Sequence, residues 1–122
     1  MAALRLGDRL LVLGCDPPKA VGLFAGRPGL TGRAVALDDD PGRTARAAAA
    51  AEREGVLLET VTAPLTRLPL ESGSFDVVVV NHLLPRLAAE RRVSCLAEAA
   101  RVLRSGGRCV VVQPGARGGL AG

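Results

Sequence analysis

The sequence predicts an α/β domain built on a parallel sheet of about five strands. Three observations predict it. Short apolar runs alternate with helical stretches along the chain, the order that gives strand–helix–strand crossovers. Phe75-Asp76-Val77-Val78-Val79-Val80 is an unbroken β-branched run, which suits a strand covered on both faces. At 122 residues the chain is the size of one domain, so residues 1–122 are read as a single unit with a loose Gly-rich tail over 114–122.

The elements follow in order. Arg9 to Leu13 reads as the first strand and ends at Gly14. Residues 18–26 read as a short helix, with Pro18 near the first helical position, where its missing N–H costs little. Arg33 to Leu37 is the second strand. Asp40-Pro41 then forms a cap-and-first-turn pair for an Ala-rich helix over 42–54, and Gly55 supplies the left-handed stop. Val56 to Val61 is the third strand, and 62–74, with Pro64, Pro69 and Gly73, is loop. After the strand Phe75 to Val80 comes a helix over 86–104. Its stripe is expected to be Leu87, Val93, Leu96, Ala100 and Leu103, ended by Ser105-Gly106-Gly107. Cys109 to Val112 is the fifth strand.

Composition narrows the function classes. The net charge is +4, yet the arginines are scattered, Tyr and Trp are absent and there are two Phe. A nucleic-acid binder would carry a clustered basic footprint or stacking rings, so no nucleic-acid partner is expected. No apolar run approaches the roughly 20 residues of a membrane span. Arg5, Asp8 and Arg9 interrupt any apolar leader, so no membrane partner and a cytoplasmic location are expected. Cys15, Cys95 and Cys109 form no Cys-x-x-Cys pair and His82 is the single histidine, so no metal site is expected.

In a parallel sheet, ligands bind beyond the carboxyl ends of the strands. That places Gly14-Cys15-Asp16, Asp38-Asp39, Ala63-Pro64-Leu65 and Asn81-His82 at the candidate site. Gly14-Cys15-Asp16-Pro17-Pro18-Lys19 does not read G-x-G-x-x-G, which counts against a nicotinamide cofactor.

Three segments resemble the class I S-adenosylmethionine-dependent methyltransferases, in the type 11 branch. They are Leu10-Leu11-Val12-Leu13-Gly14-Cys15, then Val35-Ala36-Leu37-Asp38, and third the stretch from Leu68-Pro69-Leu70 through Ser74-Phe75-Asp76-Val77-Val78 to Arg101-Val102-Leu103-Arg104-Ser105-Gly106-Gly107-Arg108. The family's usual form of the last is LPF…SFDVV…RVLKPGGR. The resemblance implies a Rossmann-like three-layer domain with strand order 3-2-1-4-5, here without the family's usual C-terminal antiparallel strands. It implies S-adenosylmethionine as cofactor. By position, the cofactor-binding candidates are Gly14, Cys15, Asp16, Asp38, Asp39, Leu65 and Asn81.

Asp38 would accept from both ribose hydroxyls, the role of the acid in dinucleotide folds, or stand solvated at a strand end. Leu37, Asp39 and Leu65 would flank the adenine. Asp16 would pair with the cofactor's ammonium group, repel its carboxylate, or be an exposed loop acid. His82 is the candidate general base, or a structural histidine. Cys15 reads as a packed thiol and Asp40 as a cap. The chain departs from the family at Val12, Asp16, Pro18 and Pro64, where an acid, two glycines and an Asp are usual. The expected activity is methyl transfer to a small molecule; the alternative is an inactive methyltransferase-like module used for binding or assembly. A fifth strand left without a cover is expected to pair with a second copy, giving a homo-oligomer.

Overall fold

The sheet is made by β1 (Asp8–Leu13), β2 (Thr31–Asp38), β3 (Glu59–Thr62), β4 (Phe75–Asn81) and β5 (Leu103–Val112). The computed structural model describes residues 7–18, 21 and 31–113. All pairings are parallel and the order is β3-β2-β1-β4-β5, as the resemblance implies. Helix α1 (Pro41–Glu54) links β2 to β3, and α2 (Ala89–Val102) links β4 to β5 after a 3-10 turn at Leu84–Arg86. Pro18 and Val21 are helical; the rest of the expected helix 18–26, and the tail 114–122, lie outside the described residues. None of the described helices is long and apolar enough to cross a membrane.

Side chains on a strand alternate between faces, and here both faces are covered. Leu11, Leu13, Val35, Leu37, Val78 and Val80 pack on one side with Leu65, Leu68, Phe75 and α2. Leu10, Val12, Ala34, Ala36, Val77 and Val79 pack on the other with Ala47 of α1. The alanines at that second contact let α1 lie close to the sheet. Its start is fixed as expected: Asp40 is extended (φ −110°), and its Oδ2 accepts from the Arg43 N–H at 2.9 Å. Gly55 ends it at φ 71°.

Four expectations need correction. Strand β3 starts at Glu59, not Val56. The Val56 N–H is spent on the Ala51 carbonyl in closing α1, so three residues pass before the chain meets β2. Helix α2 starts at Ala89, not 86, because Leu87 and Ala88 are extended. Its buried face is Cys95, Ala99 and Val102. Val93 (68% exposed) and Leu96 (37%) point away from the core, Ala100 is also exposed, and only Leu87, just outside the helix, is buried as expected. The helix carries two apolar stripes, and the one of smaller side chains faces the sheet.

The fourth correction concerns Ser105-Gly106-Gly107, which lies inside β5 rather than at the helix end. The β4–β5 register jumps between Phe75↔Leu103 and Val77↔Arg108. Gly106 takes φ 81° and a Cβ on Gly107 would stand 2.8 Å from the Asp76 carbonyl oxygen. The two glycines therefore make the irregularity that brings Arg108–Val112 into pairing.

Asp76 ties three strands together at the amino end of the sheet. It accepts from the Arg9 N–H at 2.7 Å and from the Arg9 and Arg104 guanidiniums. The Arg9 hydrogen bond, working against burial, holds its carboxyl well below the usual range. The loop 62–74 is tethered to α2: the Leu68 N–H donates to Glu98 at 2.8 Å, and Arg101 donates to the Leu68 carbonyl at 2.9 Å. On its outer side β5 has no strand partner among the described residues; Cys109 is exposed and Val110 to Val112 are half-buried.

Candidate functional site

The strand order reverses between β1 and β4, and it is at such a reversal, beyond the carboxyl ends of the strands, that sheets of this kind take a ligand into a crevice. Gly14 stands at its base. It has φ 98°, and a Cβ there would lie 2.4 Å from the Asn81 backbone oxygen; only glycine permits this turn. The Gly14 N–H donates to the Leu37 carbonyl at 2.8 Å, locking the turn to β2. From β4, the Asn81 Nδ2 donates to the Gly14 carbonyl at 3.0 Å.

Asn81 is fully buried, and its Oδ1 has no hydrogen-bond partner among the described residues. A buried acceptor left unpaired costs about 1–3 kcal/mol.

Asp38, at the end of β2, is fully buried. Its Oδ2 accepts from the Cys15 N–H at 2.8 Å and its Oδ1 from the Asp39 N–H at 2.8 Å and the Asp40 N–H at 3.3 Å. The Arg43 Nε lies 3.2 Å from both oxygens, and an Arg86 nitrogen 3.5 Å from Oδ2. Burial opposes ionisation, but the Cys15 N–H, Asp39 and Arg43 outweigh it and hold the carboxyl below its usual range. One carboxylate thus joins the β1 turn, the start of α1 and the segment leaving β4.

The other predicted residues fall around it. Asp39 is partly exposed and pairs with Arg43 at 3.3 Å and Arg91 at 4.0 Å. Asp16 is exposed on the turn. Leu37 and Leu65 are core residues whose side chains are buried. Cys15 is fully buried; burial, then the Asp38 charge, pushes its thiol up to about 12, so it is a packed thiol and no nucleophile. His82 follows Asn81 in a left-handed conformation, φ 52°, and its N–H donates to the Val112 carbonyl at 2.7 Å.

Sequence reasoning missed Arg43 and Arg86. Arg43 had a signal: a cation in the first turn of a helix opposes the helix dipole, so it needs an acid there, and Asp38 and Asp39 are the nearby ones. Arg86 had none, because its position depends on the turn after β4.

A glycine turn, a buried acid and an unpartnered buried acceptor thus meet at three adjacent strand ends. The methyltransferase domain family model matches residues 11–111. The chain belongs to that family. It is a class I methyltransferase domain of the type 11 branch, and the match runs from the middle of β1 to the end of β5 but for its last residue.

This methyltransferase domain is 34% identical, over 110 residues, to a 37.1 kDa protein in transposon TN4556 of Streptomyces fradiae; the match covers 90% of this chain and 31% of that protein. In fold it is similar to the YcgJ protein of Bacillus subtilis, with a TM-score of 0.80 at 22% identity, covering 92% of this chain and 46% of that one. It is also similar to a SAM-dependent methyltransferase of Aquifex aeolicus, with a TM-score of 0.72 at 16% identity, covering 84% of this chain and 54% of that one. The domain therefore spans about half the length of these solved structures and under a third of the transposon protein.

Proposed function

We propose that this domain binds S-adenosylmethionine in the crevice between β1 and β4 and serves methyl transfer to a small molecule. The observation that carries the reading is Asp38, a buried acid at the end of β2 held against the glycine turn by the Cys15 N–H. Bound there, the cofactor supplies a methyl group on a sulfonium, open to in-line displacement by a nucleophile.

The chain's own residues hold and orient. Gly14 lets the turn lie against β4. Asp38 takes the sugar hydroxyls once a side chain now paired with it gives way. Asp39 and the Leu65 backbone flank the base. Asn81 Oδ1 takes a ligand N–H or O–H and so relieves an unpaired buried acceptor. His82, at the exit of β4, stands where a general base would meet the acceptor. Such a reaction depends mainly on positioning, so the absence of a triad is no obstacle to it.

A second reading is favoured by the outer edge of β5, which has no strand partner among the described residues: a methyltransferase-like fold kept for assembly, pairing with a second copy through that edge. Calorimetric titration separates the two. S-adenosylmethionine and S-adenosylhomocysteine are expected to bind one to one, and NAD not to bind. Silence with all three ligands would leave the assembly reading.

A further inference from the structure

Asp38 has no acceptor left to give. A carboxylate offers about four lone-pair sites. The Cys15 and Asp39 N–H groups take one site on each oxygen at 2.8 Å, and the Asp40 N–H adds a longer contact at 3.3 Å. The remaining capacity on both oxygens is filled by Arg43, with Arg86 at the limit of reach. The backbone donors are part of the frame and cannot leave it without unmaking the turn or the start of α1. The two arginines differ: each sits on a long stem, and their side chains are 28% and 31% exposed, so each can turn out to water.

We infer that Arg43 occupies the sugar-binding side of Asp38 and must leave it before a nucleoside cofactor binds. It is a displaceable internal counter-ion that sets the cofactor affinity. This rests on the cofactor reading above and adds to it a residue that competes with the ligand.

The site holds a second seat for the displaced guanidinium. Arg43 already reaches Asp39 Oδ1 at 3.3 Å through its other nitrogen, so it can release Asp38 and remain paired. Arg91 lies 4.0 Å from the same Asp39 and has to share it. The exchange therefore trades a pair on a fully buried acid for one on a partly exposed acid, while the ribose hydroxyls take over the vacated sites on Asp38. Part of the cofactor's binding energy is spent on that exchange, and removing Arg43 returns it.

The test is titration of S-adenosylhomocysteine into the wild type, Arg43→Ala and Arg43→Lys. Alanine suits a helix and removes the competitor; lysine keeps a cation able to reach Asp38. Arg43→Ala is expected to bind about tenfold more tightly than the wild type, the size of one charge-assisted hydrogen bond, and Arg43→Lys to stay near the wild type. Urea unfolding adds a second readout. Arg43→Ala should be less stable than the wild type without ligand, and the gap should narrow when both are saturated. Equal or weaker binding by Arg43→Ala, while the wild type binds, would overturn the inference and leave the cofactor reading standing. No binding by any of the three proteins would remove that reading and the inference with it.

Discussion

Replacing Asp38 by Asn is expected to cost about 3–5 kcal/mol of stability, the range for stripping the charge from a buried, hydrogen-bonded pair. The structure says why the near-isosteric change is severe. The two strongest donors, the Cys15 and Asp39 N–H groups, stand 2.8 Å from different oxygens. An amide has one oxygen, so its NH2 must face one of these donors. One N–H is then left unpaired at about 1–3 kcal/mol, and Arg43 keeps Asp39 alone as a charged partner. Against a domain stability of about 5–15 kcal/mol this is at least about a fifth. Urea unfolding gives the number, as a lower midpoint at an unchanged m value. Asp39→Asn, at a partly exposed position, is the control and should stay within about 0.5 kcal/mol. The acid limb is a second check. The folded Asp38 carboxyl lies below its usual range, so its contribution is complete above about pH 5 and fades as pH falls through the ordinary carboxylate value toward the folded one. The wild type should lose stability more steeply there than Asp38→Asn. A variant within about 0.5 kcal/mol of the wild type, with the same acid limb, would refute the reasoning.

Glycine substitutions should rank by available space. Gly14→Ala, with its Cβ 2.4 Å from the Asn81 oxygen, and Gly107→Ala, 2.8 Å from the Asp76 oxygen, should each cost about 1–3 kcal/mol or more by overpacking. Gly55→Ala, with φ 71° and nothing within 4 Å, should cost only about 1–2 kcal/mol for the left-handed backbone; circular dichroism melts give the order, and an equal cost at all three would contradict it. Under native conditions a thiol reagent should label Cys109 faster than Cys15 and Cys95, because Cys109 is exposed and the other two are buried; fast labelling of Cys15 would contradict its packing. The outer edge of β5 is expected to seat a second copy, so sedimentation should show a dimer or larger species and Val111→Pro should weaken it. A wild type that sediments as a monomer at micromolar concentration would contradict this.

The frame was legible because its signals are local. The β-branched run at Phe75–Val80, the cap at Asp40-Pro41 and the stop at Gly55 each act within a few residues, and crossover rules and the family resemblance supply the sheet order. Failures came where tertiary contacts choose between local options. Helix α2 has two apolar stripes, and periodicity cannot say which faces the sheet; Cys95 and Ala99 win over Val93 and Leu96 because they are small. Gly106-Gly107 reads as a helix stop in one dimension, while its role as an irregularity against Asp76 depends on β4. At the site, the strand-end rule placed Gly14, Asp38 and Asn81. What it could not supply was occupancy: that Asp38 is saturated, that Asn81 Oδ1 is unpartnered, and that Arg43 and Arg86 converge from two other elements.

The cofactor site proposed between β1 and β4 is centred on Asp38. Backbone amide NMR during titration with S-adenosylhomocysteine tests it most directly. Saturable shifts are expected to concentrate at Gly14, Cys15, Asp39, Asn81 and His82, with none near Asp76 and Arg104 at the opposite end of the sheet. An unchanged spectrum, or shifts centred on the Asp76 end, would contradict it.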